Sequence, residues 1–110
     1  MESSPKYSLI ILVTTEDDVL KADTLAKQML ELKLAACVHI REIKSLYWWN
    51  DKLQESNEFQ LIFKTSYELL HDLSEAIKSN HSYKIPEIIF WEVNSSDEYK
   101  KWLEGSLSYN

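Results

Sequence analysis

The sequence predicts an α+β ferredoxin-like sandwich of the βαββαβ type, with a long projecting β-hairpin and a C-terminal helix. Three observations carry this. Apolar runs of strand length alternate with stretches of helical period in the order strand, helix, strand, strand, helix, strand, helix. Two strand-helix units resemble each other, each ending its strand at a threonine and opening its helix with a capping pattern. The middle pair of strands is far longer than the usual five or six residues.

The first strand is expected over Tyr7–Val13, an almost unbroken apolar run suited to a buried position. Thr15, with Asp18 three residues later, fits the N-terminus of the next helix. Val19, Ala22, Leu25, Ala26, Met29 and Leu30 then recur on one helical face, to about Lys33. An extended arm follows from Ala35 to Trp49, turns at Asn50-Asp51-Lys52 and returns through Phe59–Lys64. Ala36, Val38 and Ile40 share one face of the arm, whereas Ile43 and Tyr47 fall out of phase, so a bulge is expected near Arg41-Glu42. Thr65 and Glu68 fit a second helix start, with Leu69, Leu70, Leu73, Ala76 and Ile77 as its stripe. After the polar linker 79–84, a strand is expected from Ile85 or Glu87 to Val93. Ser95 and Glu98 open a last helix presenting Tyr99, Trp102, Leu103 and Leu107. Right-handed crossovers place the first two helices on one face of an antiparallel sheet. The aromatic-tipped arm then needs covering, by its own domain or, as favoured here, by other subunits.

Composition narrows the function classes. The 110 residues suit one domain over residues 1–110, and 45% hydrophobic content with one Gly and two Pro argues against disorder. A net charge of -6 without a clustered basic patch disfavours nucleic-acid binding. Residues 1–6 carry no secretory pattern, and the apolar run Leu9–Val13 is too short to span a membrane. With a single cysteine, the expectation is a cytoplasmic protein with no membrane partner.

Enzyme signatures are missing, so no catalytic residue is assigned. The single glycine excludes a glycine-rich phosphate loop, there is no His-Glu-x-x-His helix, and no organic cofactor is predicted. Cys37 and His39 share a strand face and are of the types that bind copper or zinc, although an isolated Cys is also a common small core residue. His81, in the linker, and Glu87 offer an imidazole and a carboxylate; His81 equally suits closing the preceding helix on its last carbonyls. Tyr47, Trp48 and Trp49 suit either packing across a subunit boundary or a stacking platform for a ligand. Lys64 and Tyr83 are candidates for a polar cleft beside them.

Several ordered motifs together resemble one family. They are Val13-Thr14-Thr15, Lys33-Leu34-Ala35-Ala36-Cys37-Val38, Ser45-Leu46-Tyr47-Trp48-Trp49, Glu58–Thr65, His81-Ser82-Tyr83-Lys84-Ile85-Pro86-Glu87-Ile88 and Tyr99-Lys100-Lys101-Trp102-Leu103. On these the chain is identified as resembling the CutA1 family of divalent-cation or copper tolerance proteins, from about Leu9 to Leu107. The resemblance implies a ferredoxin-like subunit in a homotrimer, similar in architecture to PII-type signalling proteins. It implies a response to copper(II) or another divalent cation, with a signalling role, through a small molecule or a protein partner, as the alternative. It also implies metal ligands at the end of the first strand and in the later linker. The first of these is Thr14 here, where relatives carry cysteine; His81 and Glu87 match the second, and Cys37 matches the family's commoner cysteine. Ser82 stands where proline often follows the histidine, and Glu16-Asp17 replace a proline-containing stretch.

Overall fold

Strands Ser8–Glu16 (β1), Cys37–Trp49 (β2), Lys52–Thr65 (β3) and Ile89–Asn94 (β4) form one antiparallel sheet in the order β2-β3-β1-β4. Helices Val19–Glu31 (α1), Leu70–Asn80 (α2) and Asp97–Gly105 (α3) complete the chain, which matches the expected βαββαβ order with its terminal helix. The computed structural model describes residues Ser8–Ser108; Tyr7, expected to open the first strand, and the segment 1–6 lie outside the described residues.

Alternation along the strands sets the layers. Leu12, Leu61 and Phe63 point to one face and pack with Ala22, Leu25, Ala26 and Met29 of α1 and Leu73 and Ile77 of α2. Each of the Leu, Ile, Met and Phe side chains contributes about 1.5–3 kcal/mol by leaving water. Leu9 points the other way and packs with Leu103 and Leu107, so α3 covers one end of the second face. The ends of α1 and α3 are tied where the Ser108 N–H donates to the Lys33 carbonyl at 2.9 Å.

All three helix starts fall later than the sequence suggests. Thr15 stays in β1 and is buried; Asp18 caps α1, its side chain accepting from the Lys21 N–H. Thr65 closes β3 and donates to the Leu34 carbonyl at 2.7 Å, while Ser66 accepts from the Leu69 N–H and starts a 3₁₀ turn, Tyr67–Leu69, ahead of α2. Ser96, not Ser95, accepts from the Tyr99 N–H to cap α3. The first helix also ends earlier than Lys33, at Glu31, with Lys33 itself at φ 58° in the left-handed region. The last strand begins at Ile89, so residues 85–88 belong to the linker.

The expected bulge is absent. From Cys37↔Lys64 to Trp49↔Lys52 the register is continuous through Arg41↔Gln60 and Glu42↔Phe59. The apolar phase changes because the cover changes, not the backbone. Val38 and Ile40 pack against the helix layer, whereas beyond them the hairpin runs past the helices and carries rings on both faces. The turn needs only Asn50 and Asp51, at φ 51° and 60°, two residue types that tolerate this region, so Lys52 already pairs with Trp49. The arm draws the chain out to 44 × 26 × 23 Å. Leu46, Trp48 and Leu53 are left exposed, Trp48 by 73%.

Candidate functional site

Chemistry-bearing residues gather where β1 ends and the linker between α2 and β4 passes around it. The linker leaves α2 at His81, whose backbone turns extended at φ -81°, ψ 146°. In the last turn Asn80 Nδ2 donates to the Ala76 carbonyl and Ser79 Oγ to the Glu75 carbonyl, each four residues back. The His81 ring turns into the protein, both its nitrogens engaged away from the helix carbonyls it was expected to close. Its side chain is fully buried, with Nε2 3.1 Å from Thr14 Oγ1 and Nδ1 3.0 Å from the Tyr83 backbone nitrogen.

The Tyr83 N–H can only donate, so Nδ1 accepts and the ring proton sits on Nε2, directed at Thr14. Beside it lies Glu16, 1% exposed. One oxygen of its carboxylate accepts from the Ser82 N–H at 3.1 Å and the other from the Ser82 hydroxyl in a short bond. Glu16 Oε2 is 3.5 Å from His81 Nδ1, a close approach that becomes an ion pair only if the ring takes a second proton. The carboxylate thus latches the linker to the end of β1. Neither Glu16 nor its tie to Ser82 was legible as a site feature, because the two are 66 residues apart.

Past this latch the linker crosses to the projecting hairpin. The Tyr83 hydroxyl donates to Glu58 Oε2 at 2.7 Å, and its ring lies 5.0 Å from that of His81. Burial first, and then the hydrogen bond to Glu58, push the Tyr83 phenol well above the ordinary tyrosine range. The folded state therefore keeps this proton while the unfolded chain loses it near pH 10, so the associated stability is complete below about pH 10 and is lost above it. Ultraviolet titration should count the same number of ionising phenols in the wild type and in Tyr83→Phe up to about pH 11. One phenol fewer in the variant at that pH would contradict the burial argument.

Tyr83 also lines an open cavity of about 580 Å³ with Thr15, Tyr47, Trp49, Glu58 and Glu87. The structure thus brings Tyr47, Trp49, Tyr83 and Glu87 to one place. Trp48 points to the opposite face of the hairpin and stands outside it. Lys64 lies towards the other end of the sheet, its ammonium 3.5 Å from the Tyr99 hydroxyl and 5.4 Å from the ring centroid. Cys37 pairs in register with Lys64, and its sulfur is 3.6 Å from His39 Nε2, away from His81. Among the described residues, no group of three or more His, Cys, Asp or Glu is arranged to hold a metal ion.

Comparison with known proteins agrees with this architecture. The profile of the CutA1 divalent ion tolerance protein family matches residues 9–106. The divalent-cation tolerance protein CutA of Pyrococcus horikoshii is 38% identical over 96 residues, covering 86% of this chain and 94% of that protein. Its namesake in Escherichia coli (strain K12 / DH10B) is 39% identical over 108 residues, with 96% of each chain covered. The solved structure of CutA from Synechococcus elongatus PCC7942 superposes with a TM-score of 0.89 at 38% identity, over 93% of this chain and 92% of that one.

Proposed function

This chain belongs to the CutA1 divalent ion tolerance protein family, and on that premise we propose that it is a cytoplasmic homotrimer that responds to copper(II) or a similar divalent cation. The family description names tolerance of divalent ions and not catalysis. The observation that carries the reading is the match over residues 9–106, which includes the linker with His81 and Glu87. Trimerisation is supported by the exposed rings of the arm and by Ile89 and Trp91 on β4, apolar surface that a neighbouring copy would take out of water. The lone cysteine is consistent with a reducing compartment.

The donor set tests how a cation would be held. Copper and zinc favour imidazole and thiolate, and position 14 offers a hydroxyl instead of a thiol. His81 Nε2 carries the ring proton, so it has no lone pair for a metal until that proton leaves and the Tyr83 N–H gives up Nδ1. The residues of one chain therefore do not fit a preformed resident metal centre. The cation is read as a weakly held ligand, reaching His81 and Glu87 only as the linker rearranges. Cys37 with His39 offers a second, separate donor pair.

Isothermal titration of metal-free protein tests this. Copper(II), zinc or cadmium should give saturable heat that His81→Ala removes. No saturable heat with any of the three, and no change in His81→Ala, would contradict the metal reading.

A second reading is favoured by the cavity beside the hairpin: a module of PII-like shape that binds a small ligand or a protein partner at clefts between subunits. Its support is the convergence of Tyr47, Trp49 and Tyr83 on one open space.

A further inference from the structure

We infer that residues 81–83 form a strap that braces the base of the projecting hairpin against the end of β1, and that His81 is the residue that positions it. The inference goes beyond the cation reading and needs neither a metal ion nor a second copy. Its first basis is where the sheet narrows. The last pair between β1 and β3 is Glu16↔Phe59, and β2 and β3 continue alone from Ile43↔Glu58 to Trp49↔Lys52. A ribbon of two strands is marginal by itself and twists more than a wider sheet. Glu58 is the first β3 residue past the support of β1, so a contact there acts at the hinge of the arm.

The grip of three successive residues on both sides of this point is the second basis. Alternation puts Thr14 and Glu16 on the side of Leu12 and the helices, and Glu58 on the side opposite Phe63. His81 Nε2 reaches Thr14 at 3.1 Å, and Ser82 donates to Glu16 through its N–H and its hydroxyl. Tyr83 then passes round the strand end, its hydroxyl donating to Glu58 Oε2 at 2.7 Å. Glu58 is only 8% exposed, so little water competes for that oxygen, and bonds to a charged acceptor are the strong ones.

The third basis is the His81 ring. Nδ1 accepts from the Tyr83 N–H, two residues on, at 3.0 Å, and closes the kind of turn that an Asn or Asp side chain closes on its own backbone. The ring is fully buried and tied to β1 through Nε2, so it orients Tyr83 from a fixed base. Losing Nδ1 as an acceptor frees the Tyr83 backbone, and with it the hydroxyl at Glu58. A change in the linker therefore reaches the base of the hairpin.

Amide hydrogen exchange of the whole chain tests this, at one fixed concentration because association also protects the hairpin. Tyr83→Phe removes only the hydroxyl. It is expected to speed exchange between Ile43 and Trp49 about tenfold, with the amides around Leu12 and Phe63 unchanged. His81→Ala should do the same. His81→Asn should stay within about threefold of the wild type, because its side-chain oxygen can take the place of Nδ1. Since both act through one contact, His81→Ala with Tyr83→Phe should exceed His81→Ala alone by less than about threefold. Unchanged hairpin exchange in Tyr83→Phe overturns the inference, as does equal acceleration around Leu12 and Phe63. His81→Asn behaving as His81→Ala does, or additive effects in the double variant, overturns the role of His81.

Discussion

Glu16→Ala is expected to cost about 2–3 kcal/mol of unfolding free energy and to release the linker that carries His81. The carboxylate is almost wholly buried and accepts from both the backbone and the hydroxyl of Ser82. Hydrogen bonds to a charged acceptor are worth more than neutral ones, and the truncation removes two together while leaving a pocket at the end of β1. Glu16→Gln should fall between, because its amide keeps one acceptor oxygen and turns an NH₂ group towards a donor. Urea unfolding gives the energy, and amide exchange at Ser82 and Tyr83 reports the release directly. A stability change within about 0.5 kcal/mol, with unchanged exchange, would show that Glu16 does not hold the linker.

Phe63→Ala is the larger loss, about 3–5 kcal/mol. Phe63 is the largest fully buried side chain among the described residues, on the inner strand β3 and in contact with the layer formed by α1 and α2. Its removal forfeits the burial of the ring and leaves a cavity that rigid strands on either side cannot close. Unfolding must be followed at one fixed protein concentration, since association of copies adds to apparent stability. A cost below about 1.5 kcal/mol would mean that the helix layer collapses into the space, contrary to the packing described.

The fold was legible because its strongest signals are local. The stripe of α1 at Ala22, Leu25, Ala26 and Met29, and that of α2 at Leu73 and Ile77, appear as buried faces where the spacing placed them, whereas Val19 and Leu30, expected on the α1 stripe, lie at its two ends and stay exposed. The helix starts were read too early for one recurring reason. A hydroxyl residue at a strand end and one at a helix cap look alike in sequence, and Thr15 and Thr65 are strand residues followed by better-placed caps, Asp18 and Ser66. The change of apolar phase at Ile43 and Tyr47 lies in the side chains and not in the backbone, whose register runs unbroken past Arg41 and Glu42.

The site was less legible. His81, Tyr83, Glu87, Tyr47 and Trp49 stood out by residue type, but their convergence depends on how the linker passes the end of β1. Glu16 and Glu58 escaped notice because an acidic residue beside a helix start or inside a polar strand is usually solvated. Their burial follows from the partners Ser82 and Tyr83, distant in sequence. The one clue was Glu16 standing just beyond the apolar run Leu9–Val13, after Thr14 and Thr15.

Native mass spectrometry of metal-depleted protein, followed by stepwise addition of copper(II) and zinc, tests the central claim most directly. A trimeric mass that gains a discrete number of ions per chain is expected. A monomer, or a trimer that takes up no ion at any step, would contradict it.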